Sequence, residues 1–175
     1  MQLDAREHFK EIVGPAISEY EQAEDELTEA VQAGNEARIH EARFRALRRG
    51  GTAIIFLHHF ADVIAKRPPE GLPDFDGKIS NVHQYLREHG ASDIALLGDT
   101  ADALKHSALT RRLPRQVEAV EQVVTVGRGY GIGRYGEGKF GGTEQVWILA
   151  RSGQRALTSV LRDIRSAWEN ILKPS

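Results

Sequence analysis

Apolar residues recur at close to helical spacing from Leu3 to Ile64, and the one strong stop in that run is Gly34-Asn35. A glycine followed by an N-capping residue ends one helix and starts another, so the first third of the chain is committed to two long helices folded back on each other. The first carries Leu3, Ile12, Val13, Ala16, Tyr20, Ala23, Leu27 and Val31 on one side, with a kink expected at Gly14-Pro15, where proline removes a donor. Its second half holds six acids between Glu19 and Glu29, and the second helix opens with Arg38, Arg43, Arg45, Arg48 and Arg49. An antiparallel hairpin sets these charges against each other, so both runs read as structural.

Beyond Gly50-Gly51 the second helix is apolar on every side through Ile54, Ile55, Phe56, Leu57, Phe60, Val63 and Ile64. Such a helix is either central to a bundle or one side of a homodimer interface. His58 and Asp62, four residues apart, fall on or beside the stripe of Leu47, Ile54, Ala61 and Ala65. A buried imidazole needs a partner, and Asp62 is expected to supply it, while His59 points elsewhere, near Arg48 and Thr52. Arg67-Pro68-Pro69-Glu70-Gly71-Leu72-Pro73 cannot continue a helix. A shorter helix is expected over 77–89, with Ile79, Val82, Tyr85 and Leu86 inward, and another, capped by Ser92 or Asp93, running to about Leu109.

That last helix contains Asp99-Thr-Ala-Asp-Ala-Leu-Lys-His106, four ionisable groups in eight residues. Asp99, Asp102 and His106 form a stripe at i, i+3 and i+7 beside the apolar face of Ile94, Leu97, Ala101, Leu104 and Ala108, and angular counting turns Lys105 into that face. A carboxylate one turn before a histidine can orient the ring and raise its pKa. Asp102, Lys105 and His106 are therefore the candidate catalytic set, with His106 as acid-base and Lys105 steadying a phosphate. If the second and fourth helices pack together, His58, Asp62 and Asp99 are candidate ligands for a divalent metal. A buried hydrogen-bond and ion-pair network around Lys105 accounts for the same residues without chemistry. No other cofactor is implied.

The C-terminal third differs in kind. β-Branched residues predict strands over 120–126 and 144–151, joined by a segment with eight glycines in the sixteen residues 127–142. Antiparallel pairing is the economical arrangement. Arg128, Tyr130, Arg134, Tyr135 and Lys139 interleave cations and aromatic rings with those glycines, a pattern suited to phosphates and stacked bases. Gly131-x-Gly133-x-x-Gly136 follows a strand but opens no helix, so it is not a dinucleotide fingerprint. Nor does the chain hold the strand lysine, catalytic loop or metal-binding triplet of a protein kinase. Ser152 is expected to cap a final helix with Leu157, Val160, Leu161, Ile164, Ala167, Trp168 and Ile171 inward. The net charge of −2 conceals a division: residues 1–109 hold 12 basic and 19 acidic side chains, residues 110–175 hold 11 and 6. A basic C-terminal third can meet a polyanion or attract the acidic part within one fold.

Cysteine is absent, which excludes disulfides, thiolate metal sites and cysteine nucleophiles. The charged start and the short apolar runs predict no membrane span or secretory leader, and a cytoplasmic location. Taken together, the sequence predicts a mainly α single domain over 1–175. It comprises a bundle of four to five helices, mostly within 1–110, a small antiparallel β-hairpin over 117–151 and a C-terminal helix over 152–173. The expected task is regulation or binding, with a phosphate-bearing ligand or nucleic acid as partner through the basic, glycine-rich C-terminal third. A hydrolase or nuclease using Asp102 and His106, and a structural homodimer, are the alternatives.

The long hairpin and the Asp102-x-x-Lys105-His106 helix resemble small bacterial helical bundles of the HEPN type and allied proteins with an Asp-x-x-Lys-His helix, over residues 1–110. That resemblance implies a helical bundle and links to RNA cleavage or nucleotide transfer. HEPN proteins use an arginine followed by four to six residues and then a histidine; here none of the seven histidines has an arginine at that distance, His106 having Ala101, Thr100 and Asp99 there, and only His106 carries over as a candidate.

Overall fold

The computed structural model describes residues 3–106, 115–127 and 143–173. Its elements in order are α1 (Ala5–His8), a π-helical turn (Phe9–Val13), α2 (Gly14–Ala33), α3 (Glu36–Lys66), α4 (Ile79–Glu88), α5 (Ile94–His106), β1 (Val123–Val126), β2 (Gln145–Ala150), β3 (Gly153–Ala156) and α6 (Leu157–Ile171). The fold is mainly helical, and one contiguous apolar core takes in residues from Ala5 to Leu172.

Asp4 starts the first helix with a capping box: its side chain accepts from Glu7 N at 2.8 Å, and its own N–H donates to the Glu7 carboxylate at 3.2 Å. The expected kink at Gly14-Pro15 takes another form. Backbone dihedrals remain helical through His8, Val13 and Gly14, and the turn widens so that Gly14 N bonds Phe9 O. This wide turn leaves Pro15 in the first turn of α2, where its missing donor costs little. Gly34 then closes α2 at φ 66°, a left-handed conformation that glycine adopts without strain, and Asn35 caps α3 by accepting from Arg38 N at 3.1 Å.

The hairpin of α2 and α3 is antiparallel and zipped by charge as expected. Arg45 meets Glu26 and Arg49 meets Glu19, both at 2.6 Å. Between them, buried Ala16, Ala23 and Ala30 face a helix carrying buried Ala42, Ala46 and Ala53, small residues that let backbones approach closely. Glu24 departs from the acidic surface on which the sequence placed it. It is 2 % exposed, because β2 and α6 pack over it. Its carboxylate accepts Tyr20 OH at 2.5 Å, Thr158 OH at 2.8 Å and Val146 N at 3.0 Å, which ties α2, α6 and β2 to one side chain. Burial, then the charge of Glu24, holds the Tyr20 phenol well above its ordinary range.

The second half of α3 occupies the centre of the molecule. Ile54, Leu57, Phe60, Ala61, Ile64 and Ala65 are buried within the chain itself, and Phe60 meets the edge of Trp168 of α6 with ring centroids 4.9 Å apart. Gly50 marks the crossing of α2, α3 and α6: a Cβ there would lie 2.8 Å from Leu157 Cδ2 and 3.2 Å from Tyr20 Cε2. On α5 the buried face is Ile94, Leu96, Leu97, Thr100, Ala101 and Ala103.

β1 and β2 pair antiparallel, with Val123 opposite Ile148 and Val126 opposite Gln145, as predicted, although Val120–Gln122 is a 3₁₀ turn and not the start of the strand. A third strand was not foreseen. Arg151-Ser152 is a two-residue turn, Gly153 takes φ 131°, and β3 pairs back along β2, so Ser152 caps nothing and α6 begins at Leu157. Gln116 holds that turn, its carbonyl accepting from Arg151 N at 2.9 Å and its side chain from Ser152 N at 3.1 Å. The inward face of α6 is as expected, and Arg6 Nε donates to Leu172 O at 3.0 Å, joining the two ends of the described chain. No helix of the described residues is long and apolar enough to cross a membrane.

Candidate functional site

The polar stripe of α5 lies side by side with α3, Leu104 beside Gly51 and Gly98 beside His58, so the two helices run antiparallel. The stripe does not assemble the expected catalytic set. Asp99 and Asp102 both face Arg115: Asp102 accepts from its guanidinium at 3.0 Å, the nearest Asp99 oxygen lies at 3.6 Å, and Asp99 also accepts from Gln116 N at 2.7 Å. Arg115 is largely buried, its side chain 11 % exposed. These carboxylates clamp the chain as it enters the segment leading to β1. His106, one turn beyond Asp102, is exposed and has no hydrogen bond to that carboxylate.

Lys105 corrects the angular reading. It is exposed rather than inward, because the buried arc of α5 centres on Leu97 and Ala101, with Leu104 at its margin on α3. Among the described residues no buried network surrounds Lys105, and Asp102, Lys105 and His106 share no enclosed site.

The pairing of His58 with Asp62 is also replaced. Asp62 bonds the neighbouring His59, Oδ2 to Nδ1 at 3.1 Å, at the surface. His58 turns instead toward His83 of α4, a residue the sequence reading passed over, with ring centroids 5.8 Å apart. Both rings also meet Gly98 of α5: a Cβ there would lie 3.6 Å from His58 Cε1 and 3.7 Å from His83 Cε1. His58 Nδ1 and His83 Nε2 are sealed from solvent and have no hydrogen-bond partner among the described residues. Burial is the main reason that both imidazoles hold protons weakly. His58 is lowered further by Lys105 against the opposing pull of Asp102 and Asp62; His83 is pushed down to about 4, with His58 and Arg87 adding to the effect of burial and Asp62 opposing it. At neutral pH both are neutral rings in a helix interface.

The metal reading loses its geometry by the same contacts. His58 is on His83, Asp62 on His59 and Asp99 on Arg115 and Gln116, and among the described residues no group of three or more such side chains could hold a metal ion. Arg128, Tyr130, Arg134, Tyr135 and Lys139 lie outside the described residues. What the fold does fix is their attachment. Val126 pairs with Gln145, so the ends of the intervening segment leave the sheet side by side, and buried Glu144 bonds Arg43 of α3 at 2.6 Å.

The concave regions lie elsewhere. A hollow of about 310 Å³ between the turn after β2 and the start of α5 has two charged lining groups, Asp93 and Arg155, paired with each other. A wider cleft of about 890 Å³ separates the N-terminal turn from the end of α3 and includes Arg6, Lys66 and Arg67. Neither is lined by any of the candidate catalytic, ligand-binding or metal residues. The outer face of α3 is more informative. Arg43, Arg45 and Arg49 are each matched by a carboxylate, whereas Arg48 has no carboxylate partner among the described residues. One turn before it, Phe44 is 53 % exposed, with His40 against its edge at 4.9 Å.

No family model, no curated protein and no solved structure matches this chain.

Proposed function

We propose that the chain is a cytoplasmic binding or regulatory protein that contacts a phosphate-bearing ligand, nucleic acid foremost, through the basic, glycine-rich segment 127–142. The observation that carries this reading is the β1–β2 register. It brings Val126 and Gln145, which flank that segment, together at one end of the sheet, next to the ion pair of Arg43 on α3 with Glu144. A hydrolase built on Asp102 and His106 has less support, since Asp102 is engaged by Arg115 and His106 stands apart from it.

Titrating the protein against fluorescent poly(dT) and poly(rU) at several salt concentrations tests the reading. Binding should weaken steeply with salt. Neutralising Arg128→Gln, Arg134→Gln and Lys139→Gln together should lower the log–log salt slope by about two, at roughly 0.7 per phosphate contact on a single strand. Salt-independent binding, or a triple variant indistinguishable from the wild type, overturns it.

A further inference from the structure

We infer that the outer face of α3 around Phe44 and Arg48, with the exposed end of α5 beside it, is a contact surface for single-stranded nucleic acid. The inference rests on the function proposed above and adds a surface made only of described residues.

His40, Phe44 and Arg48 recur every four residues, so they form one stripe along the helix at about 6 Å intervals. The stripe faces away from the core, which α3 meets through Ile39, Ala42, Ala46 and Gly50. A phenylalanine with more than half its surface in water contributes little to folding, and the only ring beside it among the described residues is His40, T-shaped to it with centroids 4.9 Å apart. Its open face is the geometry on which a base stacks, and any base has a π-face to offer.

The charges around the ring fit a polyanion. Arg48 follows Phe44 by one turn and has no carboxylate partner among the described residues, while two acids near this flank are engaged, Glu41 by Arg45 at 2.8 Å and Asp102 by Arg115 at 3.0 Å, and Glu36, at the far end of the stripe beyond His40, is two turns from Phe44 and three from Arg48. Leu104 rests against Gly51, one turn past Arg48, so the exposed Lys105 and His106 that follow it end α5 on the same flank of α3. The structure thus offers a ring to stack on, a free guanidinium beside it and an ammonium group at the margin. A duplex keeps its bases stacked on one another and cannot use Phe44 in this way. The requirement for an unpaired base is what selects a single strand.

Fluorescence anisotropy with poly(dT), poly(rU) and a blunt duplex of matched length tests this. Phe44→Ala should weaken single-strand binding about tenfold or more with the salt slope unchanged, the expected loss of one base–aromatic stack. Arg48→Gln should instead lower the slope by about 0.7, the share of one phosphate contact. Phe44→Leu, which keeps apolar bulk without an aromatic face, should behave like Phe44→Ala. Circular dichroism confirms the fold of each variant, which surface positions are expected to retain. If the Arg128, Arg134 and Lys139 triple variant loses binding while Phe44→Ala and Arg48→Gln match the wild type, the α3 surface is overturned and the segment 127–142 stands alone. Equal affinity for duplex and single strand, insensitive to Phe44, overturns the stacking contact. Absence of any nucleic-acid binding by the wild type overturns both readings together.

Discussion

Two of the polar sites inside this bundle are built in opposite ways, one buried around Glu24 and one half-buried around His58 and His83. Around Glu24 the carboxylate takes three donors from three elements: Tyr20 OH on α2 itself, Thr158 OH on α6 and Val146 N on β2. Around His58 and His83 two imidazoles from α3 and α4 meet over Gly98 of α5, and each leaves a sealed ring nitrogen without a partner among the described residues. The first site costs desolvation and recovers it through charge-assisted hydrogen bonds, so it fixes how α2, α6 and the sheet sit together. The second carries the cost of unmet polar atoms and is tolerable because the rings are neutral. Burial of a polar side chain therefore carries no single meaning in this fold. What matters is whether the groups around it complete its hydrogen bonds.

The sharpest way to break the contrast is Glu24→Ala. It strands the backbone amide of Val146 and leaves Tyr20 OH and Thr158 Oγ1, 3.3 Å apart, with only each other, so at about 1–3 kcal/mol per unmet group a total loss of about 3 kcal/mol is expected. At roughly 2–4 °C per kcal/mol for a chain of this size, the melting temperature should fall by about 10 °C. A urea or thermal melt that moved by less than about 1 kcal/mol would mean that the three donors are satisfied elsewhere. A gentler test acts on the same site from outside. Gly50→Ala places a methyl group against the Tyr20 ring, which Glu24 holds, and against Leu157, so overpacking should outweigh the roughly 1 kcal/mol that alanine gains in helix propensity. A net loss of about 1–2 kcal/mol is expected in a urea melt. Gly51→Ala, where the nearest atom is Leu104 Cδ1 at 3.8 Å, should be neutral or stabilising and serves as its control.

The difference between the two sites also marks what the sequence could express. The α2–α3 hairpin, its charge zipper and the inward face of α6 follow from spacing alone, because each is a repeat along one helix. The antiparallel β1–β2 pairing was legible for a similar reason, two β-branched runs around one glycine-rich connection. β3 was not, because Gly153 to Ala156 is short and holds the buried Arg155, and the amphipathic repeat from Leu157 onward invited extension of α6 back to Ser152. The candidate site fared worse. Asp62 at i+4 from His58 and at i+3 from His59 can serve either ring on a helix, and the choice of His59 depends on α4 bringing His83 against His58. Asp99 and Asp102 were read against His106 along the helix, yet their partner is Arg115, beyond the end of α5. Exposed Phe44 could have been found as an aromatic residue on the polar side of an amphipathic helix, a signal that the charge run around it obscured.

The smallest expected effect separates the two sites by pH. His58 and His83 hold protons less readily in the fold than the ordinary imidazole near 6.5, and His83 titrates at about 4. Acid therefore favours the unfolded chain, in which both rings take up a proton freely. Their contribution to stability is intact above about pH 6.5, declines as the pH falls from there toward 4, and levels off below. The wild-type profile sums every titrating group of the chain, so by itself it assigns nothing to these two rings. The discriminating measurement is the difference between the wild type and His58→Leu/His83→Leu across pH 4–7. At pH 7 the double variant should equal or exceed the wild type by up to about 1 kcal/mol, since it removes two unmet polar atoms from the helix interface. Toward pH 4 its advantage should grow, because it has no imidazole left to protonate. A pH-independent difference would mean that the two rings are not held neutral by burial, and a large loss at pH 7 would mean that their nitrogens are hydrogen-bonded as fully as the carboxylate of Glu24.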